Sequence, residues 1–225
     1  MKRNLFPLGC LVLAMLSFPS ANISAQEGSL NPAAQELRAL FASEWDYSME
    51  QYPTWASTLG DRRWNDRWED RSLEAIGKRH GHNREILKKL ASIDRGALSA
   101  ADRLNYDLFV KDYERRVEGH RYRWHLIPLN QRGGIQTADE LGDALRFQTV
   151  KDYEDWLGRL RAFPVYMEQT IALMREGIKA RMLLPKIVLQ RVPAQIDHQL
   201  VGDPKASPFY KPFARFTAEI SQADR

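Results

Sequence analysis

The five histidines are the natural candidates for metal ligands in this sequence, but their spacing does not match a zinc site. A helical His-Glu-x-x-His motif places two imidazoles on one helix face beside a glutamate base, and no histidine here stands in that pattern. His80 and His82 could chelate a metal from an extended strand. They fall in a polar helical stretch, however, which favours solvated surface histidines. The five are His80, His82, His120, His125 and His198.

His120 and His125 are five positions apart, a spacing that puts two residues of one helix on different faces. His125 directly follows Trp124, which favours a packing or hydrogen-bonding role. We therefore assign no catalytic, cofactor-binding or metal-ligating residue to this sequence. A chain without clustered ligands is expected to bind no stoichiometric zinc at neutral pH.

Motifs for covalent or nucleotide chemistry are also missing from the sequence. It contains no Gly-x-Ser-x-Gly nucleophile elbow, no phosphate-binding loop and no dinucleotide fingerprint. Cys10 is the only cysteine and lies near the N-terminus, so no disulfide framework is expected. Asp and Glu are too numerous for one sequence to single out a carboxylate pair.

The densest polar and aromatic cluster is residues 60–71, where arginines alternate with two tryptophans and several acids. Interleaved Arg and Trp can bind single-stranded nucleic acid by stacking, but here the acids match the bases. We expect a structured loop in which Trp packs and Arg–Asp pairs hold the turn. A wall of a substrate cleft is the alternative.

Two glycines, Gly133 and Gly134, could let the backbone approach a ligand closely. A turn before a helix capped by Thr137 is the favoured interpretation. The methionines of the later helices are expected to fill the core; these are Met167, Met174 and Met182.

Residues 1–25 are predicted to be a secretory signal peptide: Lys2 and Arg3 precede an apolar stretch and small residues lead to Ala25. The apolar stretch is too short for a stable membrane span. An uncleaved anchor remains an alternative. Lipidation at Cys10 is another, although Pro7 stands where a lipobox has Leu.

Charge argues against a nucleic-acid partner. Lys2 and Arg3 belong to the predicted leader, so of 33 basic residues 31 remain against 29 acidic ones. This near balance lacks the basic stripe of a nucleic-acid binder. Export to the periplasm or beyond argues against that partner as well.

The elements that must position these residues are helices, and the predicted fold class is an all-α, bundle-like array. No stretch alternates with the period of a strand. Pro53 should end or break the first helix and Pro193 should kink the last. Predicted starts are Asn31-Pro32, Ser72, Ser99, Thr137, Thr149, Pro164 and Pro185.

Apolar residues at three- and four-residue spacing predict the buried faces. They are Leu37, Leu40, Phe41 and Trp45; Ile86, Leu90 and Ile93; Leu104, Leu108 and Tyr113; and Tyr153, Trp156, Leu157 and Leu160. From Pro212 onward, Phe213, Phe216 and Ile220 read as a further helix. It reaches Arg225 without a cap or partner, which predicts a truncation.

Five stretches in this order resemble the N-terminal part of a large bacterial family, domain of unknown function 885. Each motif is weak alone, and together they run from about residue 36 to the end. They are residues 52–63, 104–109, 152–160, 174–178 followed by 184–186, and 207–213.

Members of this family resemble zincin-type metallopeptidases, are mostly helical and are often exported. The resemblance implies a peptide substrate and a zinc cofactor for the full-length protein, in which zinc activates water and a glutamate takes its proton. The family's His-Glu motif would lie downstream of Arg225, so the resemblance assigns no metal ligand and no general base to this sequence. Residues 26–225 would be the helical N-terminal region of a larger domain.

Two hypotheses follow. In the first, the chain supplies a scaffold and a cleft wall of an exported zinc-dependent peptidase and is inactive alone. In the second, it is a self-contained periplasmic helical binding or scaffold protein without catalysis.

Overall fold

The computed structural model describes residues 31–225, so the predicted leader and Cys10 lie outside the described residues. The described part is all-α, as predicted. It has no strand, and one isolated β-bridge joins Asn130 and Gly133. Its α-helices are α1 (Pro32–Gln51), α2 (Pro53–Thr58), α3 (Leu73–Ser92), α4 (Ala100–Gly119), α5 (Glu140–Ala144), α6 (Val150–Lys179), α7 (Lys186–Leu189) and α8 (Val192–Gln199).

Side-chain caps open four helices where the sequence predicted them. Asn31 Oδ1 accepts from the Ala34 amide at 2.8 Å, and Ser72 and Ser99 cap α3 and α4 in the same way. Thr149 and Asp152 form a reciprocal capping box at α6. These contacts are local, so the sequence alone reveals them.

The predicted cap at Thr137 is wrong. Thr137 ends a short 3-10 helix, Ile135–Thr137, and its hydroxyl donates to the Gly134 carbonyl oxygen at 3.2 Å. The following helix, α5, begins at Glu140 and has no side-chain cap. The Thr137 hydroxyl therefore donates to a carbonyl oxygen earlier in the chain and does not accept from an amide of the following helix.

The structure confirms the effect predicted for Pro53 but not the effects predicted for Pro164 and Pro193. Pro53 separates α1 from α2, as expected. Pro164 does not start a helix, because it lies inside α6, which is 30 residues long. α6 buries side chains before and after Pro164, among them Trp156 and Tyr166, and this burial offsets the lost hydrogen bond. Pro193 lies in the first turn of α8, so the last predicted helix is two helices rather than one kinked helix.

The helix predicted from Pro212 is also wrong. The chain there forms a 3-10 helix, Pro208–Ala214, that contains Pro212. Two prolines four residues apart remove amide donors that an α-helix would need. Phe213 and Phe216 instead pack on Tyr153 of α6, with ring centroids 5.9 and 4.9 Å apart.

The core has two parts. In the first, α3 packs on α4 and Ile86 and Leu90 are fully buried. In the second, α6 buries Trp156, and Trp68 from the loop before α3 stacks on Tyr166 at 4.9 Å. Between residues 31 and 225, no helix combines the length and apolar character needed to cross a bilayer.

Three predicted apolar stripes differ from the faces that are actually buried. In α4, the predicted burial of Leu104 and Leu108 is wrong, because they are 60% and 59% exposed. In α1, Glu44 is 4% exposed while Trp45 is 52% exposed. In α6, Arg159 is fully buried while Leu157 is partly open to solvent. In α1 and α6 the buried face therefore includes a charged residue, and an apolar neighbour is turned outward.

Candidate functional site

An aromatic groove of about 580 Å³ lies between α1, α2 and α4. Trp45 and Trp55 stand on its wall, each about half exposed, with ring centroids 5.9 Å apart. Phe41 and Phe109 meet edge to face at 4.7 Å on the same surface. These clustered aromatic rings, two of them half exposed, make the groove a candidate binding surface.

The buried carboxylate of Glu44 lines the groove and joins three helices. His82 Nε2, on α3, lies 3.0 and 2.8 Å from its two oxygens. The Tyr113 hydroxyl, on α4, donates to Glu44 Oε2 at 2.5 Å. The Tyr47 ring stacks on His82 with a centroid distance of 3.6 Å.

Electrostatics of this cluster favour a structural role. Burial, followed by the hydrogen bond to Glu44, raises the pKa of Tyr113 far above its usual range. Tyr113 therefore stays a hydrogen-bond donor at any physiological pH. Because both oxygens of Glu44 already have protein partners, this carboxylate holds the groove in shape.

The charged rim of the groove is balanced. Asp112 accepts from Arg115 at 2.5 Å and from Arg116 at 2.7 Å. The Arg116 guanidinium also lies 4.8 Å from the Tyr113 ring centroid. The groove therefore suits apolar or aromatic side chains better than a charged ligand.

Three of the candidate histidines come together, contrary to the prediction. His80 stacks on His120 with centroids 3.9 Å apart, and His120 lies 5.7 Å from His125. The prediction of separate faces for His120 and His125 is wrong because α4 ends at Gly119 and 3-10 turns follow. The contact role predicted for His125 is confirmed.

The other two histidines differ from each other. His82 is bonded to Glu44, so its predicted solvated state is wrong, as it is for the stacked His80. His198 is exposed on α8. Burial, the charge of His120 and nearby arginines lower the pKa of both His80 and His125.

The family resemblance implies zinc, but the histidines of the described residues are not arranged as zinc ligands. Among residues 31–225 no group of three or more His, Cys, Asp or Glu side chains could hold a metal ion. The planes of His80 and His120 are only 13° from parallel, so their in-plane lone pairs do not converge on one ion. The described residues therefore do not fit a zinc site.

The loop of residues 60–71 is a packed, ion-paired turn, as predicted. Arg63 bonds Asp61 at 2.6 Å and Asp46 at 3.0 Å, and the Arg63 hydrogen bond holds the pKa of Asp61 below its usual value. Trp68 Nε1 donates to the Arg159 carbonyl oxygen at 2.7 Å. The loop thus fixes α6 against the N-terminal helices.

The Gly133-Gly134 segment is a turn, as favoured. Gly134 has φ +152°, and a Cβ there would lie 2.5 Å from Leu129 Cβ. The close approach is thus to the protein itself. Met174 and Met182 line a small apolar cavity of about 140 Å³. These two and Met167 are half-buried, so they border the interior and do not fill the core as predicted.

Sequence reasoning missed Glu44 and Tyr113 as partners. One signal was present: Leu37, Leu40 and Glu44 share one helical face, so Glu44 sits in a stripe that is otherwise apolar. Its partners could not be found, because 38 and 69 residues separate Glu44 from His82 and Tyr113.

Comparison with known proteins gives a family. The family model described as a bacterial protein of unknown function (DUF885) matches residues 53–225, well over half of the chain. No curated protein matches the chain. The match includes all but the first residue of the five sequence motifs. The chain therefore belongs to the DUF885 family of bacterial proteins.

Proposed function

We propose that this chain forms the helical N-terminal region, and one wall of the substrate cleft, of an exported zinc-dependent peptidase. Support for peptidase chemistry comes from the resemblance of the family to zincin-type metallopeptidases. Support for export comes from the leader-like pattern of residues 1–25. The substrate is a peptide.

The observation that carries this function is the groove beside Trp45 and Trp55. Its volume of about 580 Å³ accommodates a few side chains of an extended peptide. Large aromatic rings contribute much of the buried area in such contacts. The balanced rim, where Arg115 and Arg116 neutralise Asp112, selects for uncharged side chains.

In this proposal the described residues bind the peptide and hold the helices around the groove in place. Trp45, Trp55, Phe41 and Phe109 supply contact area, and the bonds of Glu44 hold α1 against α3 and α4. The groups that would ligate zinc and activate water belong to a part of the protein outside residues 31–225. Catalysis is therefore expected only from a longer gene product.

Reading the gene past the codon for Arg225 tests this function first. We expect an in-frame continuation with a His-Glu metal motif. The complete gene product should then hydrolyse peptides and lose that activity to a zinc chelator. A stop codon after Arg225, or a complete product that is inactive with zinc restored, would refute the peptidase.

A second candidate is a non-catalytic periplasmic helical binding or scaffold protein. One observation favours it: the aromatic recognition surface is built entirely from α1, α2 and α4. Residues 26–225 expressed alone discriminate between the two. A soluble monomer that melts cooperatively and binds peptides without cleaving them supports the second candidate, whereas an aggregating product supports the first.

A further inference from the structure

A second pocket, distinct from the aromatic groove, lies between the end of α2 and the loop that leads from α5 to α6. Its volume is about 430 Å³. Of the described residues that line it, two are charged, and both are arginines: Arg62 and Arg146. No carboxylate among the described residues lines this pocket, so charge complementarity favours an anionic occupant.

The two arginines differ in how they are neutralised. Arg62 pairs with Asp152, whose side chain is 2% exposed. Asp152 also accepts bonds from the Gln148 and Thr149 amides, at 3.0 and 2.7 Å, in the capping box of α6. Arg146 has no hydrogen-bond or ion-pair partner within residues 31–225 and is exposed. The pocket therefore has more positive than negative charge at its wall.

A third arginine stands behind the pocket. Arg159 is fully buried, and its Nη2 donates to Ser57 Oγ at 2.9 Å and to the Trp64 carbonyl oxygen at 2.9 Å. Ser57 itself lines the pocket. Arg159 Nε and Nη1 have no hydrogen-bond partner among the described residues, although the guanidinium lies 5.6 Å from the Trp68 ring centroid.

The environment of Arg159 is short of negative charge. Burial lowers its pKa to about 10, and the more distant carboxylates Glu69, Asp66 and Asp155 oppose this only in part. A positive charge held in a low-dielectric site projects its potential over several ångströms. An anion in front of Ser57 would offset that charge.

The wall between Arg159 and the pocket is preorganised and polar. Ser57 and Asn65 are both buried, and Ser57 Oγ lies 2.6 Å from Asn65 Oδ1. These contacts fix the wall that separates Arg159 from the pocket. An anion would therefore enter a rigid site at low entropic cost.

From these relationships we propose that this pocket is an anion site that binds a carboxylate or phosphate group between Arg62 and Arg146. A guanidinium can bind either oxyanion through paired N–H donors. The site goes beyond the proposed function, because neither the aromatic groove nor peptide hydrolysis requires it. It can be present whether or not the gene product is a peptidase.

Titration calorimetry on the complete chain tests the site with two probes, inorganic phosphate and succinate, at one ionic strength. We expect saturable binding of at least one probe, and the preferred probe identifies the oxyanion. Arg146→Gln should weaken binding about tenfold, which is about 1.4 kcal/mol, because the variant loses a charge-assisted hydrogen bond to the anion. Since Arg146 has no partner to lose, this variant should melt as the unsubstituted protein does.

Arg161→Gln is the matched control. Arg161 is exposed on α6, two residues from Arg159, and does not line the pocket. The Arg161→Gln variant removes the same charge as Arg146→Gln and should leave the dissociation constant unchanged. Absence of binding to both probes would overturn the anion site. So would an Arg146→Gln variant that binds normally, or an equal loss in Arg161→Gln, which would indicate net charge alone.

Discussion

The Tyr113 hydroxyl donates a hydrogen bond of 2.5 Å to Glu44 Oε2, joining α4 to α1 across 69 residues of sequence. Both residues are almost completely buried. His82 completes the carboxylate's partners from α3. This one carboxylate thus fixes α1, α3 and α4 relative to one another.

Tyr113→Phe removes that hydrogen bond without changing the packed ring. We expect the free energy of unfolding to fall by about 1.5–3 kcal/mol, the range for bonds to charged groups. Urea denaturation measures the loss. Tyr122→Phe is the control, because Tyr122 is 49% exposed, and it should change stability by less than about 0.5 kcal/mol. Equal effects in both variants would contradict a special role for Tyr113.

Gly177→Ala tests a close approach of the backbone to α6. A Cβ at this position would lie 2.4 Å from the Leu126 carbonyl oxygen and 3.2 Å from that of Met182. Both neighbours are backbone atoms and cannot simply rotate away. We therefore expect a loss of about 1–3 kcal/mol in the free energy of unfolding.

Gly81→Ala provides a control of opposite sign. Gly81 lies within α3, and a Cβ there meets no atom within 4 Å. Alanine in an open helical site should stabilise by about 0.5–1 kcal/mol. If Gly177→Ala behaved like Gly81→Ala in thermal or urea unfolding, the packing of residues 124–126 on α6 would be wrong.

The stacked histidines predict a loss of stability in mild acid. Folding lowers the pKa of His80 and His125, through burial first and then through His120 and the arginines Arg84, Arg123 and Arg79. The unfolded chain then binds more protons than the folded chain below about pH 6.5. Their contribution is complete above that pH and is lost as the pH falls through the lowered values.

Urea unfolding at pH 7.5, 6.5 and 5.5 measures this loss. Carboxylates with lowered pKa, such as Asp61 and Asp70, respond below about pH 5 and do not disturb this window. The double variant His80→Gln and His125→Gln should flatten the profile. His198→Gln, on an exposed site, should keep it. A flat profile for the unsubstituted protein would show that the histidines are not perturbed.

Local signals predicted the described fold well, because they depend on residues close in sequence. Asn31, Ser72, Ser99 and Thr149 cap helices through contacts within a turn. The segment after Pro212 could not be predicted in this way. Its conformation depends on packing against Tyr153, about 60 residues earlier.

The candidate site was less predictable than the fold for a related reason. Periodicity assigns apolar residues to the interior, yet Glu44 and Arg159 are buried while Trp45 faces the groove. Burying a charged residue costs free energy unless partners offset it, and the hydrogen-bond partners of Glu44 and Arg159 come from distant parts of the chain. Such partners, as well as the stacking of His80 on His120, depend on how helices pack and leave no pattern in one sequence.

The groove gives the last prediction, which concerns binding. Trp45→Ala and Trp55→Ala should each weaken binding of a labelled Phe- and Leu-rich peptide about tenfold, since a buried aromatic contact contributes roughly 1–2 kcal/mol. Fluorescence anisotropy measures this affinity. Melting temperatures should change little because both rings are about half exposed. Trp124→Ala, at a 66% exposed site outside the groove, should bind as the unsubstituted protein does. Equal loss in all three variants would move peptide binding away from the groove.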